Sequence, residues 1–355
     1  MITMEELLAL MVRQGGSDLH LSVGSPPRIR VHGMLMPVES EELGPDDARR
    51  LATSVLNSDQ IARLDRDLEL DCSFGLEGYG RFRANVFYQQ GGVAAVLRSI
   101  PSEIPNFEAL GMPISVCERI CALRAGLVLV TGATGSGKST SLAAMINHIN
   151  TNRQAHIVTI EDPVEFTHQH RSCLVTQREV GGDTRCFANA LRSVLRQDPD
   201  IVLVGELRDH ETIEAALTLA ETGHLTFGTL HTSDAVQTIN RIVDVFPADQ
   251  QSQVRTQLSF SLEAVFSQVL LPVAEGRGRA MAAEIMSCTP GIRAMIRDAK
   301  THQIYSHIQT GGRMGMRTMA QSLADLVRSG RVNVIDAEMA LSDPNELRSL
   351  IKAAA

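Results

Sequence analysis

One segment of the sequence has the residue types and the spacing of a phosphate-binding loop. It reads GATGSGKST and matches the pattern G-x-x-x-x-G-K-[ST]. Its glycines let the backbone fold tightly round phosphate oxygens, so that N–H donors and the positive end of a helix converge on the anion. Lys138 can add a charge toward the β- and γ-phosphates, and the Ser139 hydroxyl can coordinate Mg²⁺. The predicted ATP-binding residues are Gly132, Ala133, Thr134, Gly135, Ser136, Gly137, Lys138, Ser139 and Thr140.

Acidic residues follow two apolar runs near this loop in sequence. Glu206 ends the segment DPDIVLVGE, and Glu161 and Glu165 lie in TIEDPVE. An acidic side chain at the carboxyl end of a buried strand beside a phosphate-binding loop can assist Mg²⁺ or activate water. We predict that Glu206 is the general base and that Glu161 or Glu165 positions water or metal. The alternatives are a surface ion pair of Glu206 with Arg208 and a helix-capping role for the other two carboxylates.

Two histidines lie in the segment GHLTFGTLHT, which ends a helical pattern with glycine and passes through a short strand. No further His or Cys is close in sequence, and a phosphate-binding loop uses Mg²⁺ held by oxygen, so a histidine metal site is disfavoured. We predict His231 as a sensor of the γ-phosphate and His224 as a neighbour in the same hydrogen-bond network. Two satisfied structural histidines are the alternative.

Arginines alternate along the predicted strand GRFRANVFY. Arg81, Arg83 and Asn85 share one strand face. If the glycine pair 91–92 forms a two-residue turn, Arg98 pairs opposite Asn85 and lies diagonal to Arg83 on that face. Arg83 and Arg98 can then act together as arginine fingers, with Arg81 in the same sensing network. Solvated strand arginines remain the alternative.

These residues need elements that hold them in place. The apolar runs LVLV, IVTI and IVLV alternate with helical patterns, as in a parallel sheet covered on both faces. Beyond residue 234 the pattern becomes almost wholly helical, with apolar residues at 3.6-residue spacing that are predicted to share one helix face. These residues are Val254, Leu258, Leu262, Val265, Phe266 and Val269.

The chain divides into two predicted domains. Residues 1–98 show an opening amphipathic helix, with Thr3 and Glu6 in capping-box spacing, followed by short β-like runs typical of a small α+β domain. Residues 99–113 are rich in proline and are the predicted linker. Residues 114–355 form the predicted α/β domain with its helical C-terminal region.

Composition narrows the function classes. The 355 residues are 44% hydrophobic and carry a net charge of -8, which disfavours a protein that coats nucleic acid. No apolar run has the length of a membrane span, and the N-terminus lacks a signal-peptide pattern, so we expect a cytoplasmic protein. Its six cysteines are expected to be reduced, with Cys117 and Cys121 buried rather than bound to zinc.

At this point the motifs resemble a known family. The ordered segments GATGSGKST, TIEDPVEF, DPDIVLVGELRD and ETGHLTFGTLHT look like the Walker A, Asp, Walker B and His boxes of the type II/IV secretion ATPase superfamily. Within it, SDLHLSVG, DVFPADQQSQVRTQLS and GIRAMIRDAKTHQI resemble the pilus retraction group. The last segment resembles the AIRNLIRE element of that group, with Gly291 and Asp298 as departures. Its matching helix residues are Ile292, Arg293, Met295, Ile296 and Arg297.

The resemblance implies a RecA-like P-loop NTPase domain preceded by a smaller PAS-like α+β domain, assembled as a homo-hexameric ring. In such rings the small domain packs against the RecA-like domain of the next subunit. The resemblance makes Glu206 the catalytic glutamate, Glu161 and Glu165 the Asp-box acids, and Arg83 and Arg98 interdomain arginines. ATP and Mg²⁺ are the implied cofactors, and pilin removal is the implied output.

The implied partner is the platform protein of the pilus inner membrane, which would place the chain at the cytoplasmic face of that membrane beside a related retraction paralogue. A pilus assembly or type II secretion ATPase is an alternative, but those motors usually carry a long N-terminal extension and a four-cysteine zinc module that this sequence lacks. A RecA-like nucleic-acid translocase and a nucleotide-gated structural subunit that barely hydrolyses ATP are further alternatives.

Overall fold

The computed structural model describes residues 2–90, 92–101, 103–276 and 278–352. The chain forms two compact units: Met1–Glu103 with Pro163–Thr167, and Ile104–Asp162 with His168–Ala355. The domain limits proposed from the sequence, including the linker 99–113, remain predictions. Ser99 and Ile100 complete the last strand of the first unit, and a short helix of the second unit lies at Phe107–Leu110.

The first unit is an antiparallel sheet with three helices among its described residues. Its helices are α1 (Met4–Arg13), α2 (Pro45–Thr53) and α3 (Ser58–Asp67). Its strands are β1 (Asp18–Leu21), β2 (Arg28–Val31), β3 (Met34–Pro37), β4 (Glu69–Leu76), β5 (Gly80–Gln89) and β6 (Gly92–Ile100). The sheet order is β3-β2-β1-β6-β5-β4, with every pair antiparallel. The predicted capping box is present, because Thr3 and Glu6 exchange side-chain and backbone hydrogen bonds.

The register of the β5–β6 hairpin differs from the prediction. Arg83 lies directly opposite Arg98, and Asn85 faces Val96. Gly92 already pairs with Gln89 and therefore belongs to β6, whereas Gly91 lies outside the described residues. A Cβ on Gly92 would lie 2.6 Å from Val23 Cγ2, so this glycine permits a close contact within the unit. The prediction was wrong because it assigned that glycine to the turn.

The second unit is built on a mainly parallel sheet. Its strands are β7 (Gly126–Thr131), β8 (His156–Glu161), β9 (Leu174–Glu179), β10 (Ile201–Val204), β11 (Leu225–Leu230), β12 (Leu262–Pro272) and β13 (Arg279–Ser287). The order is β13-β12-β7-β11-β10-β8-β9, with β13 antiparallel to β12 and the other neighbours parallel. The three predicted apolar runs form β7, β8 and β10, which confirms the α/β sheet.

Helices cover this sheet on both faces. In β7, Leu127 and Leu129 join one buried cluster, whereas Val128 and Val130 join another. Alternate residues of one strand are thus buried on opposite sides of the sheet, as expected for a parallel α/β core. The helices are α4 (Phe107–Leu110), α5 (Ile114–Cys121), α6 (Lys138–Asn152), α7 (Phe187–Val194), α8 (His210–Glu221), α9 (Ala235–Asp244), α10 (Gln251–Ser261), α11 (Pro290–Arg297), α12 (Ile304–Thr310), α13 (Met319–Arg328), α14 (Val334–Met339) and α15 (Asn345–Lys352).

The predicted helical face across residues 254–269 is correct for only two of its six residues. Val254 and Leu258 lie on α10, but this helix ends at Ser261, and Leu262, Val265, Phe266 and Val269 belong to β12. β12 is an interior strand between β7 and β13. Both of its faces carry apolar residues, so it reads as a continuous apolar run that periodicity cannot distinguish from a buried helix. The helical C-terminal region begins after β13.

The last described helix and two cysteines are packed within the second unit. Helix α15 packs against α13, with Leu347 fully buried. Cys117 and Cys121 are buried, and the described residues hold no cluster of three or more metal-ligating side chains. Across the described ranges, no helix is both long and apolar enough to cross a bilayer.

Candidate active site

The loop between β7 and α6 has a backbone that requires glycine. Gly132, Gly135 and Gly137 have φ values of 140°, 80° and 89°. A Cβ on Gly132 would lie 2.3 Å from the carbonyl oxygen of Gln268, whereas one on Gly135 would meet nothing within 4 Å. Gly137 is the N-cap of α6, whose first turn carries no acidic residue. The loop therefore presents the positive end of a helix to whatever it encloses.

Strand β12 is hydrogen-bonded to the glycine-rich loop and to the end of β7. Gln268 of β12 donates from Nε2 to the carbonyl oxygen of Ser136 at 2.6 Å. The Thr131 and Ser267 hydroxyls are hydrogen-bonded at 2.8 Å. Sequence reasoning missed Ser267 and Gln268, although two adjacent polar residues inside the apolar run AVFSQVLL were a usable signal. Their burial in an interior strand is explained by this contact with the loop.

Lys138 lies over the loop that it follows. Its ammonium donates to the carbonyl oxygens of Gly132 at 2.7 Å and Ala133 at 3.0 Å. Burial lowers the pKa of Lys138, while the charge of Glu206 acts to raise it. The ammonium is thus within electrostatic range of the predicted base, as expected if both groups serve one reaction.

Glu206 is held between a cation and a histidine at the carboxyl end of β10. Its Oε2 lies 2.8 Å from Arg208 Nη2, and its Oε1 lies 3.2 Å from His231 Nε2. The hydrogen bond from Arg208 is the main cause that lowers the pKa of Glu206, against the opposing effect of burial. The ion pair offered as an alternative is therefore present. It coexists with the contact to His231, and a carboxylate so placed can accept a hydrogen bond from water.

The structure separates the two histidines that were predicted to share a network. His231 follows the carboxyl end of β11, whereas His224 precedes its amino end, and six strand residues span roughly 20 Å. His224 Nδ1 lies 3.0 Å from the Leu219 carbonyl and 3.1 Å from the Thr222 hydroxyl, at the end of α8. The prediction for His224 was wrong, because this side chain satisfies a helix terminus.

Glu161 lies at the same edge of the sheet as Glu206. It is buried, and its Oε1 accepts from the Thr159 hydroxyl at 2.7 Å and from Gln177 Nε2 at 3.2 Å. Gly205 allows the two strand ends to approach, since a Cβ there would lie 3.2 Å from the Glu161 Cα. Gln177 is a supporting residue that the sequence did not reveal, because its contact with Glu161 depends on the parallel pairing of β9 with β8.

Glu165 belongs to the segment Pro163–Thr167, which groups with the first unit. The predicted arginines lie in the sheet of that unit. Arg83 lies 3.7 Å from Asp71, and Arg98 Nε donates to the buried Asp18 at 2.7 Å. Arg81 donates to the Ser73 hydroxyl at 2.6 Å.

The residues Arg83 and Arg98 are directly opposite each other across β5 and β6, and each guanidinium group has an acidic partner that offsets the repulsion between the two charges.

The helix that resembles the retraction-associated element is α11. Ile292 and Ile296 are fully buried, and Met295 is half-buried beside them. Arg293 donates to the carbonyl oxygens of Ser259, Phe260 and Leu262 at 2.9–3.0 Å. Arg293 therefore caps the carboxyl end of α10, whereas the half-exposed Arg297 lies 3.8 Å from Asp298.

A cavity of about 710 Å³ lies beside the site without touching the glycine-rich loop. Three carboxylates line it with one guanidinium, from Asp162, Asp209, Glu211 and Arg208. Such a lining repels a triphosphate, so the loop and not this cavity is the candidate nucleotide site.

Comparisons with known proteins identify the family of this chain. Residues 2–339 match the family model described as "Type II/IV secretion system protein". The Pseudomonas aeruginosa "Type IV pilus retractation ATPase PilT" is 52% identical over 92% of this chain and 95% of its own length. The P. aeruginosa "Type IV pilus ATPase PilU" is 42% identical over 98% of this chain and 91% of its own length.

A solved structure described as the pilus retraction motor PilT with bound ADP superimposes with a TM-score of 0.92 at 48% identity. It covers 98% of this chain and 100% of the solved one. A family match over nearly the whole chain, a relative sharing half of its residues and a common fold all lead to one conclusion. This chain belongs to the type II/IV secretion system protein family.

Proposed function

We propose that this chain is an ATPase motor that couples ATP hydrolysis to retraction of type IV pili. The observation that carries the proposal is one sheet edge on which Lys138, Glu206 and His231 lie together beside a glycine-rich loop. Two similar proteins are described as pilus retraction ATPases, one of them with ADP bound. Identity to PilT is 52% against 42% to PilU, which favours the PilT-like role among the pilus paralogues.

Mg²⁺ fits the oxygen donors at this site. The exposed Ser139 hydroxyl is on the first turn of α6, and Glu206 is an ionised carboxylate near Lys138. Ser139 would hold the ion, with acidic help from Glu206 or Glu161. Mg²⁺, when bound, neutralises charge on phosphate oxygens.

The side chains of the chain itself account for the remaining steps. The amides of the loop and Lys138 bind and orient the β- and γ-phosphates. Glu206 orients a water and accepts its proton, while His231 senses the γ-phosphate beside it. We further propose that Arg83 and Arg98 stabilise phosphate charge in the same reaction, with Glu161 and Glu165 as supporting acids.

We propose a homo-hexamer that works at the cytoplasmic face of the inner membrane with the platform protein of the pilus, and with a retraction paralogue where one is present. No nucleic acid is required. The net charge of -8 supports a function without nucleic acid, and the similarity to a type IV pilus retraction ATPase supports work at the pilus.

Substitution of Lys138 by Ala tests the proposed activity. We expect ATP turnover to fall at least a hundredfold, because the charge on the β- and γ-phosphates is lost. Lys300→Ala is the matched control, since Lys300 is exposed and its ammonium lies 3.6 Å from Asp298, outside the proposed site. Undiminished turnover in the Lys138 variant, with Lys300→Ala equally active, would remove the assignment.

A further inference from the structure

One carboxylate far from the loop in sequence is buried at the junction of two helices. Glu284 lies in the middle of β13 with 2% of its surface exposed. Its Oε1 accepts the N–H of Ala235 at 2.9 Å, and the backbone N–H of Met319 also acts on the carboxyl group by favouring its ionised form. Ala235 is the first residue of α9, and Met319 is the first residue of α13. Glu284 therefore lies between two helix N-termini and is hydrogen-bonded to that of α9.

The two N–H groups favour the ionised form of this carboxyl group, whereas burial opposes it. A negative charge is favourable at the positive end of each helix, and both carboxylate oxygens can accept an N–H. A glutamine of the same shape has one carbonyl oxygen and one NH₂ group, so one backbone donor would face another donor. The conservative change to Gln therefore releases one helix end while the volume stays the same.

The first turn of α9 is continuous with the site. Asp234 caps the helix by accepting the N–H of Gln237 at 2.7 Å. The Thr232 hydroxyl is 2.7 Å from the Thr238 hydroxyl, which donates to the Asp234 carbonyl at 2.7 Å. Residues 232–234 are therefore fixed to α9. The preceding residue is His231, whose Nε2 lies 3.2 Å from Glu206.

The other side of Glu284 is equally fixed. Ile285 and Arg317 exchange backbone hydrogen bonds of 2.9 and 3.1 Å, and Ala283 N–H donates to the Ser322 hydroxyl at 3.0 Å. β13 and the start of α13 thus form one anchored body. Glu284 extends from that body to the start of α9.

We propose that Glu284 is a positioning residue that holds the start of α9, and through it the His231 imidazole, against Glu206. This role rests on the proposed function, since it matters to turnover only if Glu206 and His231 serve ATP hydrolysis. It is a buried contact between the anchored body of β13 and α13 and the helix that follows His231.

A double-mutant cycle tests this role. In the full-length protein, we expect Glu284→Gln to lower kcat roughly tenfold or more, because small misplacements of catalytic groups have effects of this size. KM for ATP should change less than twofold, since Glu284 contacts the start of α9 and not the glycine-rich loop. In a His231→Ala background, Glu284→Gln should lower kcat less than twofold.

Ser322→Ala is the matched control. It removes the neighbouring contact between β13 and α13 but does not touch α9, so kcat should stay within twofold. A merely structural role predicts equal losses in both backgrounds, or an equal loss in Ser322→Ala. Either result overturns the proposal.

If Glu284→Gln does not fold, Ala235→Pro removes the donor instead, at the first helical position where proline is best tolerated. A kcat loss for Ala235→Pro that is absent in the His231→Ala background supports the role, and an equal loss in both overturns it.

A second measurement does not depend on hydrolysis. The imidazole signals of His231 can be followed by NMR with histidine-selective labelling and assigned from the His231→Ala spectrum. They should shift in Glu284→Gln and not in Ser322→Ala. Unchanged signals overturn the positioning role. If the wild type had no ATPase activity and the His231 signals still shifted in Glu284→Gln, the positioning role would be supported and the proposed function rejected.

Discussion

In the proposed mechanism, Glu206 has to remain ionised and also accept a proton. Arg208 and His231 bind its two oxygens, and the hydrogen bond from Arg208 lowers its pKa. A carboxylate of this kind is a weak base in isolation, so its contribution depends on placing water correctly.

Substitution of Glu206 by Gln should separate binding from chemistry. We expect kcat to fall roughly 10²- to 10⁴-fold, because the amide cannot accept the proton. Affinity for a fluorescent ADP should change less than threefold. Glu211→Gln is the control, as this exposed carboxylate pairs only with Arg192 among the contacts described, at 3.2 Å. Normal hydrolysis by a folded Glu206→Gln protein would contradict the assigned role.

Glu284 should also leave a signature in stability against pH. Burial raises the pKa of its carboxyl to about 7, and the groups that face it are Asp234, Tyr305 and Glu346. An acid with a raised pKa in the folded state contributes most stability below its unfolded pKa, and this contribution is lost as pH rises through the folded value. From pH 4.5 to 7 the loss is about 3 kcal/mol.

Glu284→Gln lacks this titration. The unfolding free energy of the wild type minus that of the variant, measured with urea, should therefore fall by about 3 kcal/mol from pH 4.5 to 8. The corresponding difference for Glu211→Gln should stay flat. A constant difference for Glu284→Gln would show that the carboxyl titrates at its ordinary pKa.

At the scale of elements, the glycine-rich loop combines two demands. Gly132 and Gly135 both have positive φ, but only Gly132 packs against the backbone of β12. We expect Gly132→Ala to destabilise the protein by about 3 kcal/mol from strain and overpacking, and Gly135→Ala by about 1–2 kcal/mol from strain alone. Thermal unfolding and ADP binding of the two variants provide the comparison. Equal losses of unfolding free energy in the two variants would show that the close packing of Gly132 against β12 does not contribute to the difference.

The two arginines of α11 should also differ in how much each contributes to the unfolding free energy. Arg293 donates to three carbonyl oxygens at the end of α10 and to Glu263 at 2.7 Å, so Arg293→Ala should cost about 2–3 kcal/mol of unfolding free energy. Arg297 is half-exposed, and Arg297→Ala should cost less than about 0.5 kcal/mol. Chemical denaturation measures both. A destabilised Arg297 variant would indicate a contact that the fold does not reveal.

At the scale of the whole molecule, the chain presents an arginine face on one unit and a nucleotide site on the other. Arg83 is the better probe of that face, because Arg98→Ala would also leave the buried Asp18 without its 2.7 Å partner. We expect Arg83→Ala to lower kcat by about 10- to 10³-fold with stability preserved. Arg66→Ala, on an exposed helix, should be neutral.

Light scattering should give a hexamer for both variants, so that any loss of turnover reflects chemistry rather than assembly. Full activity of Arg83→Ala would leave these arginines as solvated strand residues.

Local spacing alone predicted the glycine-rich loop, the three parallel strands and the acidic residues at their ends. Each of these signals lies within one strand-to-loop unit, where chain geometry fixes which side chains emerge together. The capping box at Thr3 and the buried Cys117 followed from equally local patterns.

Tertiary structure decided everything that depends on partners distant in sequence. Periodicity cannot identify β12, because neighbours cover both of its faces. A shift of one residue in a turn set Arg83 opposite Arg98, and the length of β11 placed His224 away from His231. The roles of Gln268 and Glu284 arise only where β12 and β13 meet the loop and α9. Such pairings are set by burial and by long-range hydrogen bonds, which no local spacing of residues encodes.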